Sequence, residues 1–156
     1  MKKLISVVSF LGIIILLTWK SNYLFAASTT ASALATVIQA IAIVKTADLN
    51  FGTASVGDVA KVILPADASA AVFNITGQPN TAFTIQLPAT AVTMTTGIGG
   101  ANRTISVSTF TSTPATTSTL SATGTATLRV GATRAALPAT QIAGAYTATF
   151  TVSVIY

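Results

Sequence analysis

The chain has 156 residues, of which 51% are hydrophobic and only 7% charged, and a formal net charge of +5. It has no Cys, His or Glu, and its acids are the isolated Asp48, Asp58 and Asp67. Zinc sites and nucleophile triads therefore lack their parts, and a two-carboxylate glycosidase would have only these three Asp to draw on. The expectation is one domain that is not an enzyme and carries no metal or cofactor.

The N-terminal residues read as an export signal. Lys2 and Lys3 precede the apolar run Leu4 to Leu17, whose length suits the core of a signal peptide better than a bilayer span. Small residues at Ala26 and Ala27 make cleavage after residue 27 the first candidate, with ASA at Ala31 to Ala33 a more distant second. Lys2, Lys3 and Lys20 leave with this segment, so the +5 falls to +2. The remaining cations, Lys45, Lys61, Arg103, Arg129 and Arg134, are scattered. No basic stripe forms, so no nucleic-acid partner is expected. No membrane association is expected after cleavage. An exported domain without Cys must hold together by packing alone.

Residues 28–34 read as a flexible tail and residues 35–156 as a single β domain. The opening strand, Thr36 to Val44, puts Val37, Ile41 and Ile43 on one side with Gln39 among them. Ile38, Ala40, Ala42 and Val44 lie on the other. Both faces are apolar, as expected of a strand inserted between sheets. Further on, DASAAV (Asp67 to Val72) has room for one short helical turn. TGQPN (Thr76 to Asn80) lies between AVFNI and AFTIQL and reads as a hairpin loop.

In TAFTIQLP, Phe83, Ile85 and Leu87 alternate with Thr84 and Gln86. In TATLRV, Ala126, Leu128 and Val130 face inward, with Thr127 and Arg129 outward. Such period-2 patterns describe strands with one buried and one wet face. The GIGG run at Gly97 to Gly100, then Gly124, Gly131, Pro138 and Gly144, mark further breaks. LPATA (Leu87 to Ala91) and LPATQ (Leu137 to Gln141) look like sortase signals but lack the Gly, the apolar span and the basic tail that such signals need, and read as strand-end turns. Eight or nine short strands fit an antiparallel β-sandwich of the immunoglobulin type. Short strands and missing aromatic girdles argue against a transmembrane barrel.

The closing stretch AGAYTATFTVSVIY alternates most strongly. Tyr146, Ala148, Phe150, Val152, Val154 and Tyr156 share one face, and Thr147, Thr149, Thr151 and Ser153 the other. The chain finishes on an aromatic, which suggests a sheet still lacking a strand beyond its last one.

These two ends carry a resemblance. ATVIQAIAIVKTADLNFGTASVG (Ala35 to Gly57), with its LNFG at Leu49 to Gly52, and the closing strand with Gly144, Tyr146 and Tyr156 resemble a bacterial secreted family, domain of unknown function 4402. More distantly they resemble spore coat protein U and archaic chaperone–usher pilin domains. The pilin resemblance implies a sandwich whose missing strand comes from the N-terminal segment of a neighbouring subunit, joining copies into a fibre. On that reading the donor residues are Val37, Ile38, Ile41 and Ile43, and the acceptor edge is formed by Tyr146, Phe150, Val152, Val154 and Tyr156. Its partners are further copies or related subunits, with a periplasmic chaperone and an outer-membrane usher. Many such domains have a disulfide near the opening strand, which this chain cannot form.

Two alternatives stay open from the residues alone. The opening strand could pair within its own domain. The protein could also be a secreted monomeric adhesive or carbohydrate-binding module, using loops such as TTGIGGANRT. Against the second stands the loss of the one Trp, Trp19, with the signal, since sugar sites usually present aromatic faces.

Overall fold

The computed structural model describes residues 26–156, so the expected signal peptide lies, except for Ala26 and Ala27, outside the described residues. The chain divides into Met1–Thr36 and Val37–Tyr156. Within the first unit, described residues 26–36 contain no helix or strand.

The second unit is built from nine strands: β1 (Ala42–Ala47), β2 (Lys61–Ile63), β3 (Ala71–Thr76), β4 (Ala82–Gln86), β5 (Val92–Thr95), β6 (Thr104–Thr113), β7 (Thr117–Thr119), β8 (Thr125–Arg134) and β9 (Ser153–Ile155). The larger sheet runs β1-β3-β8-β6-β5, and β2 pairs with β8 beyond the end of β3; the smaller runs β7-β4-β9. All pairings are antiparallel. Phe73, Ile75, Leu128 and Val130 from the larger sheet and Phe83, Ile85 and Val154 from the smaller one share a single buried cluster. The sheets therefore pack face to face as an all-β sandwich.

Side-chain alternation places these residues. In β4, Phe83 and Ile85 are buried, and Leu87 just beyond it packs against the same cluster. In β8, Leu128 and Val130 are buried, Ala126 packs beside them, and Thr127 is exposed. Arg129 points outward as expected but is half-buried. Its Nε donates to Pro65 O and its Nη2 to Asp67 O, both at 2.6 Å. That fork pins the turn between β2 and β3. The turn also bonds to itself: Leu64 N–H donates to the Asp67 carboxylate at 2.8 Å, and Ala70 N–H to Asp67 O at 3.0 Å.

Four expectations need correction. Thr76–Asn80 is no hairpin loop, because β3 already has β1 and β8 on its two edges; the segment carries the chain from the larger sheet to β4 in the smaller one. Gly131 is not a break but lies inside β8, where the β2–β3 turn crosses its outer face. Asp67–Val72 turns only over its first four residues, closed by the Ala70 N–H to Asp67 O bond, and Ala71 already pairs with Val130. The closing stretch is not one strand. Thr147 bridges to Thr95 on the β5 edge of the larger sheet, whereas Ser153–Ile155 pair with β4 of the smaller one. The chain thus crosses from one sheet to the other between residues 147 and 153.

A bulge adjusts β6 to β8. Ser108 faces Thr133 and Thr111 faces Gly131, so β6 carries one extra residue there. Thr109 has φ of 53° at this point, a conformation that its branched Cβ disfavours. Its side chain is exposed. Thr109→Asn is therefore expected to raise stability by about 0.5–1 kcal/mol, because Asn tolerates this backbone better; thermal unfolding of the two proteins checks it.

Candidate functional site at the two chain ends

The LNFG motif anchors the start of the domain. Leu49 and Phe51 pack inward, Phe51 being 8% exposed. Between them Asn50 turns its side chain back on the chain, its Oδ1 accepting Gly52 N–H at 2.8 Å, while its own N–H donates to Ser69 O at 2.9 Å. Gly52 has φ of 71°, which suits glycine. The motif is a turn that presents two apolar side chains to the core and fixes the exit of β1.

β1 pairs with β3 of its own chain, Ile43 opposite Ile75 and Val44 opposite Asn74. The four expected donor residues divide. Ile41 and Ile43 are partly buried against the main core. Val37 is 93% exposed and Ile38 53% exposed, and neither lies in a strand. Val44 on the other face is also exposed. The expectation of two covered faces therefore fails for β1, whose outer face meets solvent.

The five expected acceptor residues divide as well. Val152 and Val154 are buried, and Phe150 is half-buried, its ring edge-on to Phe73 at 6.5 Å and tilted against Phe110 at 5.1 Å. Tyr146 sits upstream of the Thr147 bridge, its hydroxyl donating to Ile142 O at 2.5 Å. It belongs to a different part of the surface from β9. Tyr156 is 41% exposed, and its hydroxyl accepts Gln78 N–H at 2.5 Å and donates to Gln39 O at 2.9 Å. Gln39 N–H in turn donates to Gln78 Oε1 at 3.1 Å. One phenol thus ties the segment before β1, the β3–β4 connection and the end of β9. Gln39 and Gln78 escape a reading of the sequence, since nothing along the chain signals a contact between residues so far apart.

β9 pairs with β4 on one side. Among the described residues no strand pairs with its other side. The order β1-β3-β8-β6 corresponds to strands A-B-E-D of an immunoglobulin-type sandwich, and β4-β9 to C-F. The place of strand G, beside β9, has no counterpart among the described strands.

The fold and this edge define a class: an immunoglobulin-like β-sandwich with one central strand left at an edge. The family described as Domain of unknown function (DUF4402) matches residues 41–156, and the chain belongs to that family. No curated protein and no solved structure matches it.

Proposed function

We propose that the protein is an exported structural subunit of a bacterial surface fibre or coat, assembled by β-strand docking between copies. The observation that carries this reading is the outer side of β9, unpaired among the described residues, on a strand whose Val154, with Val152 just before it, is held in the core. An edge of this kind offers a row of backbone donors and acceptors to an added strand. The segment before β1 supplies a matching extended stretch, with Val37 and Ile38 exposed and no strand partner. The export signal read from residues 1–27 and the distant pilin resemblance support the same reading.

β1 itself covers β3, Ile41 packs against the core of its own domain and Gln39 is tied to Tyr156, so the donated segment lies upstream of these, within residues 28–38. A test deletes residues 28–38 and keeps Gln39, Ile41 and β1. Size distributions by light scattering and electron microscopy are expected to show chains of copies for residues 28–156 and single copies for 39–156. The shortened protein is expected to bind a synthetic peptide of sequence 28–38. A monomeric 28–156 protein, together with a shortened form that ignores the peptide, would refute the reading.

A further inference from the structure

A cleft of about 680 Å³ opens beside the larger sheet, a volume in the range that small ligands occupy. Its apolar wall includes Leu49, Phe51, Met94 and Leu137. Arg134, Gln141 and Tyr146 supply side-chain polarity. No residue of β1 or β9 lines it, so the cleft is separate from the edge used in strand docking.

Arg134 is the unusual member. The inward face of β8 runs Leu128, Val130, Ala132 and then Arg134, so the alternation that builds the core ends by placing a cation between Val107 of β6 and Lys61 of β2. Arg134 is 4% exposed. Its Nη1 donates to Ala135 O and its Nη2 to Val59 O, both at 3.0 Å. Its Nε is buried with no hydrogen-bond partner. Among the described residues the ion pair present is Lys45–Asp48, and Arg134 is the one charged residue among those lining the cleft. Carbonyls satisfy part of the guanidinium but carry no formal charge. A buried cation held this way lacks a counter-ion, and a buried donor left unmet is costly.

We propose that the cleft binds a small organic monocarboxylate, its carboxylate on the Arg134 guanidinium and its body against Leu49, Phe51 and Met94. The planar fork of arginine matches a carboxylate, and two of its five N–H donors are engaged by the two carbonyls. Lys61, opposite Arg134 across the β2–β8 pairing, does not line the cleft, and its Nζ is engaged by Phe51 O at 2.8 Å, so the wall itself offers one guanidinium, which one carboxylate balances. The rest of the floor is already oriented: Gln141, 8% exposed, donates from Nε2 to Tyr146 Oη at 2.6 Å and to Thr104 O at 3.3 Å. The amide and phenol can meet hydroxyl groups on the ligand body.

The test tracks the arginine Nε–H resonances of the ¹⁵N-labelled protein during titration with glucuronate and with phenylacetate. Glucose and phenylacetamide serve as uncharged counterparts. The Arg134 signal is expected to shift saturably with at least one acid and with neither neutral compound, while the Arg129 signal stays in place. Response to glucuronate alone identifies a hydroxylated acid such as an acidic sugar, and response to phenylacetate alone an apolar one. Arg134→Gln, read at the backbone amide signals of Phe51 and Met94 because the arginine signal is gone, is expected to weaken binding at least about tenfold. Met94→Trp, which fills the cleft and leaves Arg134 in place, is expected to abolish the shift even if the Arg134 variant fails to fold. The proposal is overturned if neither acid shifts the Arg134 signal, if neutral compounds act equally, or if Arg129 responds in parallel.

Discussion

Phe83→Ala is expected to cost about 3–5 kcal/mol of folding stability, the range for removing a fully buried aromatic ring. Phe83 is 2% exposed and belongs to the cluster that joins the two sheets. It sits in β4, the middle strand of the smaller sheet, with β7 on one side and β9 on the other. Among the described residues that sheet has three strands, two of them three residues long, so it has little other apolar area with which to close over the gap. With no disulfide to restrain the unfolded chain, the loss should appear in full as a lower urea midpoint at unchanged slope. Thermal unfolding should fall on the order of 10 °C or more. Phe83→Leu keeps most of the volume and should lose less than half as much. Equal losses for the two substitutions would show that the ring is not wedged between the sheets.

Gly131→Ala is expected to be nearly as damaging, although it adds a single methyl group. A Cβ at this position would collide with Ile63 O and crowd Leu64 C and Pro65 N. All three are backbone atoms, so no side chain can swing aside. The turn that would have to move is held by the Arg129 fork and by the Asp67 carboxylate, and shifting it breaks the pairing of Ile63 with Ala132. A cost of about 3 kcal/mol is expected, at the upper end for overpacking. Hydrogen exchange gives the check: amides of β2 and of residues 64–70 should lose protection before those of β4. A fully stable Ala variant with those amides still protected would contradict the crossing of the turn over β8.

The candidate edge is only partly legible along the chain. Val152 and Val154 lie inward because alternation is a property of the strand itself, and Ile41 and Ile43 follow the same rule. Tyr146 groups with them in sequence because the stretch alternates without interruption. The structure separates it, since the chain leaves the larger sheet after Thr147 and joins the smaller one at Ser153. A change of sheet leaves the period of two intact, so the pattern gives no sign of it. Arg134 is within reach of the same rule: carrying the β8 alternation from Val130 two steps further places Ala132 and then Arg134 on the buried face. A glycine at 131 interrupts the eye but not the strand.

From its residues alone this chain was bound to be a Thr-rich all-β domain with Phe83, Ile85, Leu128 and Val130 inside, because strand geometry sends successive side chains to opposite faces whatever lies nearby. Which strands became neighbours was decided only on folding. β1 settled on its own β3, β3 and β4 parted into different sheets, and none of the described strands took the outer side of β9. Pairing partners are chosen by competition among edges far apart along the chain, and period-2 patterns of similar strength do not rank them. For the same reason a cation that reads as one more scattered charge became a buried guanidinium at the wall of a cleft.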